Sequence, residues 1–201
     1  MKITLLDYTE NGMNKIARMA RATRLNSYEN GFELDETKDD KFVKRLIRVG
    51  HLGILEHISF TFHISEVSRC LTHQLVRHRI ASYLQMSNRH AKPEFRGYVT
   101  PISINTIEYK EFMDNAYLLY RDMIADGLPI EDARYVLPPA FFTHISVTMN
   151  CRELLHFFEL RCDKAAQWEI RGMALEMLKI CYEKYPVIFK DIYDKYKKDI
   201  K

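Results

Sequence analysis

Two stretches of strict alternation, far apart in the chain, constrain the fold most. In the first, Ile58, Phe60, Phe62 and Ile64 lie on one face and Ser59, Thr61, His63 and Ser65 on the other. In the second, Phe141, Thr143, Ile145, Val147 and Met149 oppose Phe142, His144, Ser146 and Thr148. A side-chain period of two marks a half-buried strand. Strands separated by long helical stretches favour an α+β fold over an alternating parallel one. Gly and Pro number only 7 and 6, which points to long helices and away from a β-sandwich.

The rest of the chain fills in around these strands. Lys2–Tyr8 reads as a short strand and Asn14–Thr23 as a helix with Ile16, Met19 and Ala20 on one face. The polar segment from Arg24 to Glu36 reads as a loop. Lys38–Val49 reads as a helix with Phe42, Leu46 and Val49 on one face, stopped by Gly50. After the first alternating strand the period changes. Val67, Cys70, Leu71, Gln74, Leu75 and His78 predict a helix over Glu66–His78. Asn105–Asp126 predicts a long helix, Pro129 opens a short one, and Cys151–Arg161 and Ala165–Tyr185 follow before a last charged helix after Pro186. With no repeat and no boundary in composition, residues 1–201 read as a single domain.

Composition narrows the function classes. The chain is 47% hydrophobic and 28% charged, enough for a sizeable core with a solvated surface. No apolar run reaches the ~20 residues of a membrane span, and Met1-Lys-Ile-Thr-Leu-Leu-Asp is too short in its apolar part for a signal peptide. Cys70, Cys151, Cys162 and Cys181 form no Cys-x-x-Cys pair, so neither a disulfide nor a zinc framework is readable and a reducing cytoplasm is expected. Cys70 and Cys181 read as core-facing, and no metal site is expected. Neither a dinucleotide-binding glycine fingerprint nor a P-loop is present.

The chemistry concentrates in one segment. The net charge is only +3, yet Arg77, Arg79, Arg89, Lys92 and Arg96, with His78 and His90, fall close together against one acid, Glu94. Such a cluster in a near-neutral chain points to an anionic ligand. On a helix, Gln74, Arg77 and His78 would share a face while Arg79 points elsewhere, serving two anions at once. Arginine suits phosphate because its planar fork donates two parallel hydrogen bonds. A helix ending in Arg-His-Arg is also simple dipole complementation; Gln74, Ser87 and Arg89 at these offsets shift the reading toward a site.

Arg77-His78-Arg79 followed after seven residues by Ser87 resembles the signature of the flavin-dependent thymidylate synthases. His51 before Glu56-His57-Ile-Ser-Phe-Thr-Phe, then Ala133-Arg134-Tyr-Val-Leu-Pro138, Asn150-Cys-Arg152-Glu-Leu-Leu, Leu160-Arg161-Cys-Asp and Ala166-Gln167-Trp168-Glu169-Ile170 resemble further blocks of that family, in its order. The resemblance implies a small antiparallel sheet flanked by long helices, assembled as a homotetramer with active sites at subunit interfaces. It implies reductive methylation of deoxyuridylate (dUMP) to thymidylate (dTMP), with methylene-tetrahydrofolate as one-carbon donor and FAD, reduced by NADPH, as hydride source. Neither a nucleic acid nor a membrane is an implied partner.

By the same resemblance Gln74, Arg77, Gln85, Ser87, Arg89, Arg134 and Arg161 hold dUMP. Arg77, His78, Arg79, Gln85, Asn150, Arg152 and His156 hold FAD, with His51 in support. Arg161 is the implied catalytic group. A fixed guanidinium against the uracil imide stabilises its enolate-like form, and one preorganised donor of this kind is worth ~3 kcal/mol in a barrier. The flavin-free thymidylate synthases attack uracil with an activated Cys; no Cys here has that setting, and the hydride comes from the cofactor instead. Departures from the family pattern are Gly53, where many members carry Ser or Thr, Gln85, where many carry Glu, and His156, where some carry Asn. Two other readings stand beside this one: a nucleic-acid-binding protein using Arg77–Arg96, and a relative that binds flavin or nucleotide without catalysis.

Overall fold

The computed structural model describes residues 1–23, 36–87 and 97–200. Four strands, β1 (Lys2–Tyr8), β2 (Ser59–Val67), β3 (Ala81–Gln85) and β4 (Thr143–Asn150), form one small antiparallel sheet in the order β1-β2-β4-β3. The two alternating segments are thus the neighbouring central strands. Their register is marked by two polar pairs: Thr61 Oγ1 lies 2.9 Å from Thr148 Oγ1, and His63 Nδ1 lies 3.1 Å from Ser146 Oγ. Ile58, Phe60, Phe62 and Ile64 are buried, as are Thr143, Ile145, Val147 and Met149. The chain is α+β, as its pattern predicts.

The described helices are α1 (Gly12–Ala22), α2 (Glu36–Arg48), α3 (Arg69–Leu75), α4 (Ile107–Ala125), α5 (Ile130–Ala133), α6 (Cys151–Arg161), α7 (Trp168–Lys184) and α8 (Pro186–Tyr196). The chain falls into two compact units, residues 1–2, 63–77 and 83–146 in one and 3–62, 78–82 and 147–201 in the other.

In the first unit, Ser68 caps α3 by accepting from Leu71 N at 3.1 Å. Thr106 caps α4 through Tyr109 N at 3.2 Å. Helix α4 buries Met113, Ala116 and Tyr120 but leaves Ile107, Phe112 and Leu119 more than half exposed. Gly127, at φ +86°, takes the left-handed turn that ends this stretch, a conformation glycine adopts without a Cβ penalty.

In the second unit, α7 buries Ile170, Met173, Ala174, Met177, Leu178 and Cys181, the spacing of a core-facing helical stripe. A series of rings joins β2 to α6: Phe60 and Phe189 are 6.1 Å apart, Phe189 and Phe158 5.9 Å, and Phe158 and Phe157 5.6 Å, all edge-on. Such pairs add ~0.5–1.5 kcal/mol each beyond their buried area. Gly12 opens α1 where its amide donates to Tyr185 Oη at 2.9 Å; a Cβ there would come within 2.7 Å of that oxygen. Strand β4 runs into α6 without a connecting residue. Asn150 ends the strand and caps the helix, its Oδ1 accepting from Glu153 N at 2.9 Å, and Cys151 N donates to Ile58 O at 2.8 Å.

Several expectations are corrected. Helix α2 turns Asp39 and Val43 inward, while Phe42 and Leu46 are half-buried and Val49 is exposed. The reason is Asp39, a fully buried carboxylate held by Arg21 and by Asn14 Nδ2 at 2.8 Å. The helix predicted over Glu66–His78 is shorter, Arg69–Leu75. Glu66 belongs to β2 at φ +58°, and Tyr83 Oη donates to Leu75 O at 2.8 Å, taking up one of the helix's last carbonyls. Cys70 is exposed, because α3 buries Leu71, Thr72 and Leu75 instead. Strand β3 has no counterpart in the predicted elements. Pro129 is the cap before α5 and not its first residue. The polar segment predicted as a loop lies, up to residue 35, outside the described residues.

Candidate active site

Because α3 stops at Leu75, Gln74, Arg77 and His78 do not share a helical face. Arg77 sits in the turn that follows and is exposed, as is Arg79, while His78 is buried. The burial of His78 has a specific structure. Its ring stands edge-on to Phe157 at 4.9 Å and 6.0 Å from His156. Its Nδ1 lies 3.2 Å from Glu153 Oε1, and Arg161 Nε donates to its Nε2 at 3.0 Å.

This chain of contacts fixes the proton. An ionised carboxylate only accepts and a guanidinium only donates. His78 must therefore carry hydrogen on Nδ1 and offer the lone pair of Nε2. Burial, foremost, and the charges of Arg161 and His156 lower the pKa of His78 below the ordinary imidazole value, against the opposing pull of Glu153. The neutral ring is thus a rigid link between a buried carboxylate and a half-buried guanidinium. Among the described residues, the terminal amino groups of Arg161 make no further hydrogen bond or ion pair.

Glu153, one end of this link, also lines a cavity of about 690 Å³, within the ~300–1,000 Å³ range of ligand sites. Leu52, Ile80 and Leu155 give it apolar walls; Asn150, Arg152 and His156 give it donors. Three carboxylates also line it, and each is engaged: Glu56 by Arg152, Glu153 by His78 and Glu159 by Lys195. Arg152 and Lys195 offset the charges of Glu56 and Glu159, while the neutral His78 ring hydrogen-bonds Glu153 without cancelling its charge. The Arg152–Glu56 pair is half-exposed, and such pairs contribute ~0–1 kcal/mol, so a phosphate could replace the carboxylate at little cost. His51 lines a second cavity of about 480 Å³ with Met19, Leu46, Gly53 and His57. Gly53 has nothing within 4 Å of the place a Cβ would take.

The other candidates belong to the first unit. Gln85 Nε2 donates to Thr72 Oγ1 at 3.0 Å and Thr143 Oγ1 at 3.3 Å, and Gln74 Nε2 donates to Cys70 O at 3.2 Å. Ser87 is exposed, and Arg89 lies outside the described residues. Arg134 is half-buried, its Nε donating to Glu131 O at 3.0 Å. Beside it is a residue that sequence reasoning missed, Arg69. Burial first, then the positive charge of Arg134, lowers the Arg69 pKa. Neither guanidinium meets a carboxylate among the described residues. The predicted helix begins at Glu66, so it is the fold that makes Arg69 the first residue of α3, where the helix dipole disfavours a cation.

Glu153 was missed as well. Asn-x-x-Glu at the start of a helix reads as a capping box, in which the Glu reaches back to the cap; here the carboxylate turns to His78. Cysteine chemistry is closed off at the buried thiols. Burial raises the pKa of Cys151 and Cys181 well above the usual thiol value and pushes Cys162 up to about 12, so none supplies a thiolate at neutral pH. Among the described residues no group of three or more His, Cys, Asp or Glu side chains is placed to hold a metal ion, and no helix is long and apolar enough to cross a membrane.

A family model described as thymidylate synthase complementing protein matches residues 4–187. The chain is 43% identical over 200 residues to a flavin-dependent thymidylate synthase of Geobacter sulfurreducens, covering 95% of this chain and 86% of that relative. It is 44% identical over 202 residues to a protein of the same description from Saccharolobus solfataricus, covering 94% and 76%. A third, from Pyrococcus furiosus, is 41% identical over 190 residues, covering 89% and 78%.

Proposed function

We propose a working scheme that starts from the family to which this chain belongs, Thy1, the thymidylate synthase complementing proteins. The chain is a flavin-dependent enzyme that makes dTMP from dUMP. Its balanced reaction joins dUMP, methylene-tetrahydrofolate, NADPH and a proton to give dTMP, tetrahydrofolate and NADP⁺. FAD, when bound, supplies the hydride.

The residues present fit that cofactor. A diphosphate needs cations and amide donors beside apolar walls, and Arg152, Asn150 and His156 stand with Leu52, Ile80 and Leu155 around one cavity. The family resemblance adds Arg77, His78, Arg79 and Gln85 as flavin contacts, with His51 in support. Gln74, Arg77, Gln85, Ser87, Arg89 and Arg134 hold dUMP. Arg69 joins Arg134 on the phosphate, where a dianion relieves the repulsion between the two guanidiniums.

Arg161 does the chemical work of this chain. Its Nε is committed to His78, so its terminal amino groups remain for the uracil imide edge. Two parallel donors there stabilise negative charge on the ring and push electron density toward the carbon that accepts the methyl group. Arginine is suited to this because it does not lose its charge. The observation that carries the scheme is the Glu153–His78–Arg161 chain of hydrogen bonds, which holds the guanidinium before any substrate arrives.

The active assembly is a homotetramer. The exposed Ile107, Phe112 and Leu119 of α4 are the apolar surface such an interface would cover, and sedimentation measures it. The test of function is release of tritium from C5-labelled dUMP by the purified protein. Release that requires FAD, NADPH and methylene-tetrahydrofolate together is expected. A colourless protein that takes up no FAD and releases no tritium overturns the scheme.

A further inference from the structure

We propose that Glu153 is a positioning residue for the reaction: by accepting from Nδ1 of His78 it sets the tautomer of that ring, and the tautomer holds Arg161 by Nε. The proposal rests on the reading of Arg161 given above and extends the site to a residue that acts on Arg161 through the ring of His78.

The geometry leaves His78 little other freedom. Phe157, edge-on at 4.9 Å, fixes the plane of the ring. What packing cannot fix is which nitrogen carries the hydrogen. Unassisted, a neutral imidazole favours hydrogen on Nε2. Here that tautomer would set N–H against the N–H of Arg161, at a separation of 3.0 Å between the nitrogens. The Glu153 carboxylate, 3.2 Å from Nδ1, selects the other tautomer. A ring nitrogen is protonated according to the bond its partner nitrogen makes, and this is the logic by which carboxylates orient metal-bound histidines.

A simple capping role does not account for Glu153. The cap of α6 is Asn150, whose Oδ1 already takes the Glu153 amide at 2.9 Å. A carboxylate serving the helix dipole would stay in water, yet Glu153 is only 7% exposed. Burying a charge is disfavoured unless it is paired and hydrogen-bonded, and the side chain that pairs with this carboxylate is His78.

The experiment combines kinetics with ¹⁵N NMR of histidine-labelled protein, the His78 signals being assigned by their loss in His78→Gln. Wild-type protein should show His78 with hydrogen on Nδ1. Glu153→Leu should shift it to Nε2 and lower kcat on the order of 10–100-fold, the range for losing a partner that orients a ligand through a histidine. KM for dUMP should change less than about 3-fold, because binding of the nucleotide is carried by other groups. Glu153→Gln retains a carbonyl oxygen for Nδ1–H and should restore both the tautomer and most of kcat. Hydrogen on Nε2 in the wild type, an unmoved tautomer in Glu153→Leu, or a Gln variant as slow as the Leu variant would each overturn the proposal. The wild-type spectrum is decisive even should Glu153→Leu not fold. The underlying reading fails separately: normal turnover in Arg161→Ala removes the catalytic role of Arg161, while the tautomer in Glu153→Leu reports on the coupling alone.

Discussion

The two units handle guanidinium charge in opposite ways. In one, Arg161 is tied by Nε to a neutral ring, and that ring is tied to a buried carboxylate. In the other, Arg69 and Arg134 stand together with no carboxylate among the described residues, close enough that Arg134 depresses the pKa of Arg69. The first arrangement satisfies itself and gains direction. The second has no carboxylate among the described residues to offset its charge, and the proposed scheme gives that task to a phosphate. A group that must stabilise charge appearing only in a transition state is best held fixed beforehand. A group that must capture a dianion from water is best held repelled by its neighbour, because binding then relieves the repulsion.

The largest effect expected on this contrast comes from Arg161→Ala. It should lower kcat by about 10²–10³, the usual loss for one preorganised donor, while bound flavin, read from visible absorbance, stays near one per chain. Next comes Arg69→Leu. It should raise KM for dUMP about 10-fold, since a hydrogen bond to a charged group is worth ~1.5–3 kcal/mol. It should also leave Tm unchanged or higher, because it removes a half-buried like charge. A fall in Tm without a change in KM would erase the distinction between the two units.

A smaller effect comes from pH. His78 has a lowered pKa in the folded state, so the unfolded chain binds the proton more readily. Stability is then fully present above the ordinary imidazole value of about 6.5 and is lost as pH falls below it toward the folded pKa. The groups facing the ring are Glu153, Arg161 and His156. Tm should drop by ~2–4 °C for each kcal/mol lost, and His78→Gln should flatten this part of the profile. The least effect is expected from Gly53→Ser, where no atom lies within 4 Å of the added Cβ. Its stability should stay within about 0.5 kcal/mol, with flavin affinity equal or modestly higher by titration.

The central strands are legible in the sequence because each buries one face. Phe60, Phe62 and Ile64 alternate with Thr61 and His63, and the structure buries the first set. Strand β3 is not legible, since Leu84 is 77% exposed and Ala81, Tyr83 and Gln85 are only half-buried, so no apolar face announces its period. The helix through Gln74 and His78 is over-extended by its pattern for a related reason. His78 continues the helical spacing of Leu71, Gln74 and Leu75, but Tyr83 takes a carbonyl of α3 and Glu153 takes the histidine. Neither partner is signalled by local periodicity, and Glu153 is distant along the chain. Arg161 is identified by its resemblance to a family motif; that its Nε is held by His78 emerges only from the fold.

The direct passage of β4 into α6 at Asn150 makes that junction an indexing pin. The strand's pleat dictates the azimuth at which the helix leaves, and so the direction of every side chain down to its last turn. One inserted residue there would swing the helix by about 100° and send Glu153 and Arg161 to new bearings together. The connection's lack of slack thus keeps these two residues, eight positions apart in the numbering, aimed as one part.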